Sequence, residues 1–270
     1  MEPLTGIGKE DRKRLSAIFR ETKGTVSVED AAGILKVSPT DAAKMLSRWA
    51  KKGWLSRVRR GLYIRVALES STADIPLEDP WIIAERLFSP CYIGAWSAAE
   101  YWGLTEQIFR TVVVMTNQKP RDRSPVIRGT SFMLRTISEK SLFGTKTVWR
   151  GQVKVSISDP SRTILDMLTD PKLGGGIRPT VGMFLSYLKS ENKNIQLLID
   201  YAKRLGNGAV FKRLGFLLER YAADQEAAKN ECKAQLTKGN TKLDPTLKAD
   251  RLITRWRLWI PESWAQGELI

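Results

Sequence analysis

The chain has 270 residues, of which 42% are hydrophobic and nine are tryptophan, enough apolar material for the core of one large or two ordinary domains. Its 44 Lys and Arg residues outnumber 29 Asp and Glu residues, and the resulting net charge of +15 indicates a polyanionic partner. Histidine is absent, which excludes Ser-His nucleophile pairs, His general bases and most zinc sites, and two cysteines do not support a disulfide framework.

Apolar runs long enough to span a membrane are missing, and the N-terminal sequence has no apolar signal-peptide core. We therefore expect a cytoplasmic protein that acts away from membranes. No motif for a cofactor or a metal ion stands out, so none is predicted.

The positive charge is concentrated at the front of the chain. Residues 1–66 contain fifteen Lys and Arg against seven Asp and Glu, a net charge of +8 in a quarter of the length. Residues 67–80 are small, polar, acidic or proline, as is typical of a linker. We predict an N-terminal domain over 1–66, a linker over 67–80 and a larger domain over 81–270.

Three helices are predicted in the N-terminal domain. The first begins near Lys9, the second covers 28–36 and the third covers 39–51, because apolar residues recur there at helical spacing. Ser27 and Ser38 are each followed three residues later by Asp, a variant of the capping box that marks the starts of the second and third helices.

The third predicted helix has two different faces. The apolar face centres on Leu46 and includes Ala42, Ala43, Trp49 and Ala50. The opposite face is polar and positive and consists of Thr40, Lys44, Arg48 and Lys51, with Ser47 on the flank. A small apolar back and a positive front suit a helix that enters a DNA groove, whereas for a helix considered alone this pattern is typical of an ordinary solvated face.

The next segment, residues 51–66, carries six basic residues and also several large apolar ones. Two strand-like runs, WLSRV and LYIRV, are joined at Arg59-Arg60-Gly61, where the glycine permits a tight hairpin turn. The apolar residues are expected to seat this hairpin on the helices, leaving phosphates to be contacted by Arg57, Arg59, Arg60 and Arg65. This order predicts a winged helix-turn-helix domain that binds double-stranded DNA, with protein contacts as the alternative use.

The second domain mixes strands and helices. Strands are predicted at 111–116 and 152–157, and residues 180–235 read as almost wholly helical. The predicted fold class is α+β: an N-terminal winged helix-turn-helix domain plus a larger mixed α/β C-terminal domain with a helical part. The apolar stripes of the helical part are expected to be core, with a partner-binding groove as the alternative.

Two charged features of the second domain are candidates for a functional role. A basic cluster surrounds the turn at 206–208 and consists of Lys203, Arg204, Lys212 and Arg213. It is either a solvated face or a second basic surface for phosphates or RNA. Asp159-Pro160 is predicted to cap a helix, in which Arg162 and Asp166 form an i,i+4 pair worth a few tenths of a kcal/mol.

Four segments of the chain carry a resemblance to a known family: GILKVSPTDAAKMLSRWAKKGWLSRVRRGLYIRV, YIGAWSAAEYWGLTEQ, VSISDPSRTILDML and the closing LDPTLKADRLITRWRLWIP. Together they resemble the AbiEi antitoxin family of type IV toxin-antitoxin systems. The similarity extends over nearly the whole chain. It implies a repressor of its own operon that binds inverted repeats through the winged helix. It also implies a C-terminal domain that counteracts a nucleotidyltransferase toxin, functionally or by direct binding.

Other functions remain open from the residues. The chain could be a solitary winged-helix regulator or a ligand-responsive one. It could also be an enzyme acting on nucleic acid with a metal ion held by Glu100, Asp159 and Asp166, although no paired-acid motif follows a strand. Because a single winged helix offers a small interface, assembly of several copies on repeated half-sites is expected.

Overall fold

The computed structural model describes residues 6–22, 24–65 and 79–265. The predicted linker lies outside the described residues except for Asp79 and Pro80. These two residues cap and begin the first helix of residues 79–265, which are called the second domain below. Within the described ranges, every helix is too short or too polar to cross a bilayer.

The N-terminal part has the order of elements of a winged helix. Its elements are α1 (Lys9–Glu21), β1 (Thr25–Ser27), α2 (Val28–Leu35), α3 (Pro39–Lys51), β2 (Leu55–Arg59) and β3 (Leu62–Arg65). The strands form an antiparallel sheet in the order β1-β3-β2. All three predicted helices and the hairpin are confirmed, whereas β1 was missed because a strand of three residues gives too little alternation to detect.

Local capping explains where α2 and α3 begin. The Ser27 hydroxyl accepts a hydrogen bond from the Asp30 amide at 3.0 Å, and the Asp30 carboxylate accepts one from the Ser27 amide at 3.0 Å. At α3 the Ser38 hydroxyl accepts from the Asp41 amide at 3.1 Å. Both predicted caps are confirmed, but the reciprocal capping box forms only at Ser27, whereas at Ser38 only the Asp41 amide is satisfied.

The second domain is built on a mixed six-stranded sheet in the order β6-β7-β5-β4-β9-β8. The β5–β7 and β4–β9 pairs are parallel and the other pairs are antiparallel. Its elements are α4 (Pro80–Phe88), β4 (Cys91–Ile93), α5 (Ala95–Tyr101), β5 (Thr111–Thr116), β6 (Val126–Ile127), β7 (Thr130–Thr136), β8 (Thr145–Arg150), β9 (Val153–Ser158) and α6 (Pro160–Thr169).

A helical layer follows the sheet and confirms the predicted helical part. It consists of α7 (Ile177–Lys189), α8 (Ile195–Leu205), α9 (Gly208–Tyr221) and α10 (Glu226–Ala234). The chain closes with β10 (Thr241–Lys242), β11 (Arg251–Ile253), β12 (Leu258–Ile260) and α11 (Glu262–Ala265), of which the strands form a small sheet. The apolar residues of α8 and α9 are buried in the largest hydrophobic core, which confirms the prediction that they are core residues.

The two parts of the chain share a hydrophobic cluster at the wing. In β3, Tyr63 faces the helices of the winged helix, whereas Leu62 and Ile64 pack into a cluster with residues of the second domain that include Trp81 and Ile83. Successive side chains of a strand point to opposite faces, so both faces of the wing sheet are covered. The expectation that the apolar residues of this hairpin seat it on the helices is therefore wrong for Leu62 and Ile64, and for Val58, which is partly buried against the same cluster.

Polar contacts join the same two parts. Arg86 of α4 forms an ion pair with Asp30 of α2 at 2.6 Å. In the turn between β6 and β7, the Arg128 guanidinium donates to the backbone carbonyl of Arg57 at 3.0 Å. The wing is thus held from the side of the second domain as well as by its own helices.

Candidate nucleic-acid interface

The polar face of α3 lies on the surface of the molecule. Its back is anchored by Ala42, Leu46 and Trp49, which are fully buried among the helices. Its front consists of the exposed side chains of Thr40, Lys44, Arg48 and Lys51, with Ser47 half-buried on the flank. Together with Pro39 and Ala43 these residues form one continuous face of α3. The structure therefore brings together the residues that were predicted on this helix.

The cations of the α3 front differ in how they are held. Arg48 forms an ion pair with Asp11 of α1 at 3.1 Å, yet 52% of its side chain remains exposed. Lys44 and Lys51 form no ion pair with any residue in the described ranges. The pair at Arg48 links α1 to α3, whereas the two lysines form no such contact within the described ranges.

The wing presents a second positive edge. A bulge between Arg57 and Arg59 shifts the register of the hairpin, and Gly61 takes a φ of +79°, which the tight turn requires. Arg57, Arg59 and Arg60 are all exposed. Arg65, by contrast, lies at the opposite end of the hairpin with its guanidinium 5.2 Å from the ring of Phe19, so it does not belong to the tip.

The connection between α3 and the wing is short and rigid. The Trp54 amide donates to the Trp49 carbonyl at 3.0 Å, and the Lys52 ammonium lies 4.6 Å from the Trp54 ring centre. Helix and wing therefore form one surface, in which a helix front can enter a groove while the arginines of the tip meet flanking phosphates.

The basic cluster of the second domain has a different character. Lys212 and Arg213 are only 2% and 4% exposed. The Arg213 guanidinium donates to the backbone carbonyls of Leu168, Thr169, Lys242 and Leu243. The Lys212 ammonium donates to the Thr237 hydroxyl and the Gly239 carbonyl. The prediction of a second basic surface is wrong for these two residues, because their charges are satisfied inside the fold.

The other two members of that cluster lie on the surface but are also engaged. Lys203 forms an ion pair with Glu231, and the Arg204 guanidinium lies 4.0 Å from the centre of the Phe143 ring. A continuous patch of four available cations is therefore not formed around 206–208.

The Asp159–Asp166 segment is confirmed as a capped helix start, but its ion pair is not a surface pair. The Asp159 carboxylate accepts from the Arg162 amide and from the Tyr201 hydroxyl, both at 2.9 Å. Arg162 and Asp166 are joined at 2.9 Å with side chains 1% and 2% exposed, and the Tyr92 hydroxyl bridges them. Burial raises the pKa of Asp166, and the neighbouring Arg162 limits that rise.

This network ties β4, α6 and α8 together and gives the segment a structural role. The removal of one partner of a buried pair costs far more than the few tenths of a kcal/mol of an exposed one, because the other charge stays buried. Glu100, the third carboxylate considered for a metal ion, is exposed and accepts from the Phe109 amide at 3.4 Å. The described ranges contain no group of three or more His, Cys, Asp or Glu side chains arranged for a metal ion.

Sequence reasoning missed the residues that support the interface from outside it. Asp11 holds Arg48, and Arg128 holds the wing strand at Arg57. Both contacts join segments far apart in the chain, so no local spacing could have indicated them. The backbone of Arg128 has a φ of +50°, in the left-handed region. Arginine rarely occupies this region, so the sequence does not predict this conformation.

Residues 13–66 match the family model described as transcriptional regulator, AbiEi antitoxin. This part of the chain is therefore similar to AbiEi regulators. The matched range starts within α1 and runs through β3, so it contains α3 and the entire wing, and it confirms the resemblance for these residues only. It covers about a fifth of the chain. A search of curated proteins found no match.

Proposed function

We propose that the chain is a DNA-binding antitoxin and transcriptional autorepressor of a type IV toxin-antitoxin operon, and that it counteracts a nucleotidyltransferase toxin. The observation that carries this proposal is the exposed positive front of α3 beside the arginines of the wing, within residues that match AbiEi regulators. The protein would act in the cytoplasm and without a cofactor.

The two parts of the interface would have different tasks. The front and flank of α3 would face base edges in the major groove through Thr40, Lys44 and Ser47. Side chains can distinguish base pairs in this groove. Arg48 and Lys51 would lie at the groove wall. Arg57, Arg59 and Arg60 would contact phosphates, which position the module without reading sequence.

One winged helix is a small module for specific binding. Inverted repeats in the operator would therefore be occupied by two or more copies of the chain, because two modules on two half-sites multiply a modest affinity. The second domain would supply the contacts between copies and the action against the toxin.

The proposal can be tested by separating repression from neutralisation. Arg59→Ala/Arg60→Ala and Lys44→Ala would be expressed from an unrelated promoter beside the toxin encoded by the adjacent gene, and in parallel with a reporter under the chain's own promoter. We expect loss of repression with neutralisation largely retained. Lys189→Ala/Lys193→Ala, which removes two exposed charges of α7 and the turn after it, serves as the control and should keep both activities.

Two outcomes of this experiment would contradict the proposal. Full repression by both interface variants would show that α3 and the wing do not hold the operator. Loss of neutralisation by the same variants at unchanged protein level would show that the two activities are not divided between the domains. If the adjacent gene does not encode a nucleotidyltransferase, the toxin part of the proposal fails and the chain would be a regulator only.

A further inference from the structure

A basic stretch of the second domain lies next to the wing. It runs from the end of β5 to the start of β7 and carries Lys119, Arg121, Arg123 and Arg128 with a single acid, Asp122. Lys119, Arg121 and Arg123 are exposed, and none forms an ion pair with a residue in the described ranges. The Asp122 carboxylate is turned onto its own loop, where it accepts from the Ser124 amide at 2.9 Å.

The backbone of this stretch is ordered as an edge of the sheet. The amides of Phe132 and Leu134 in β7 donate to the carbonyls of Pro125 and Arg123 at 2.9 and 2.8 Å. The pairing therefore continues beyond β6 and extends the hairpin formed by β6 and β7 as far as Arg123. This hairpin, residues 119–136, is called the basic hairpin below.

The turn of the basic hairpin is fixed to the wing. Arg128 and Gly129 take φ values of +50° and +74°, a two-residue turn in which Asn or Asp usually precedes Gly. The arginine in that strained position reaches the carbonyl of Arg57 at 3.0 Å, and Ile127 and Val58 pack against the shared hydrophobic cluster. The tip of the basic hairpin therefore lies against β2, the outer strand of the wing.

We propose that the basic hairpin is a second contact surface for the DNA backbone, continuous with the wing. This inference rests on the proposed DNA binding and extends it to the second domain. Arg123 lies five residues before Arg128, where the hairpin meets the wing, about 16 Å at ~3.3 Å per residue of strand, which corresponds to roughly five base steps of duplex. The ligand is the phosphate backbone of double-stranded DNA, because the cations follow an extended line and present no aromatic side chain for stacking on bases.

The test is the salt dependence of binding by the full chain to a random-sequence duplex. Arg121→Ala/Arg123→Ala should lower the slope of log affinity against log salt by about 2, since each phosphate contact contributes about 0.9. Lys189→Ala/Lys193→Ala removes the same charge from the helical layer and should leave the slope unchanged. Arg121→Lys/Arg123→Lys should restore it, because a lysine also neutralises a phosphate.

Failure of this inference and failure of the proposed function give different results. If Arg59→Ala/Arg60→Ala lowers the slope while Arg121→Ala/Arg123→Ala behaves like the control, the winged helix binds DNA and the basic hairpin only protects a sheet edge from pairing. If the unaltered chain binds no duplex at all, the proposed function itself fails.

Discussion

Two segments of this chain combine basic and apolar residues in nearly the same way, yet the fold treats their charges oppositely. In the described part of the wing segment, residues 51–65, most apolar residues are buried on the two faces of a small sheet, and Arg57, Arg59 and Arg60 stay in solvent. In α9 the side chains of Lys212 and Arg213 are themselves buried and bound to backbone carbonyls. A cluster of positive charge in a sequence therefore indicates an interface only where the fold leaves it exposed.

The largest effect is expected at Arg213. Arg213→Ala would leave several carbonyls buried without a donor and should lower the free energy of unfolding by about 3 to 5 kcal/mol. Arg204→Ala, at an exposed arginine of the same cluster, should change it by less than about 1 kcal/mol. Urea denaturation followed by tryptophan fluorescence measures both. Equal and small losses would mean that Arg213 does not hold the fold from inside.

The next effect concerns the apolar residues of the wing. Leu62→Ala should cost the intact chain about 2 to 3 kcal/mol, because Leu62 is 4% exposed between the two domains. The exposed Arg65→Ala in the same strand is the control. A fragment ending near Ser70 would expose Leu62 and Ile64 to water, so we expect it to unfold at a lower urea concentration than the same residues do in the intact chain. A fragment as stable as the intact chain would show that the contact contributes little.

A change at the front of α3 should affect binding but not stability. Lys44→Ala is expected to weaken binding to the operator by about 1 to 3 kcal/mol if Lys44 faces a base edge. Its effect on random DNA should be small, and its unfolding curve should match that of the unaltered chain. Fluorescence anisotropy with both duplexes measures the difference. Equal losses on the two duplexes would assign Lys44 to phosphate contacts.

The smallest effect per residue is expected at the wing tip. Arg59→Ala and Arg60→Ala should each lower the salt slope by about 1 and weaken binding to every sequence alike. A loss confined to the operator would instead indicate that the tip reads bases in the minor groove.

Local sequence determined the helices, the caps and the hairpin of the winged helix. The Ser-x-x-Asp spacing at Ser27 and Ser38 set the starts of α2 and α3, and the period of apolar residues around Leu46 assigned the two faces of α3. Such signals act over a few residues, so they can be read without knowing the rest of the fold. The candidate residues of α3 and of the wing tip were accordingly predicted, and all but the half-buried Ser47 are exposed.

The tertiary structure alone decided what covers each surface. Leu62 and Tyr63 are both apolar, and nothing in their spacing states that one packs on the second domain and the other on the winged helix. The burial of Arg213, the ion pair between Arg48 and Asp11 and the contact of Arg128 with Arg57 all join segments distant in sequence. Burial depends on which elements meet in space, and that depends on the packing of the entire chain and not on any short segment of it.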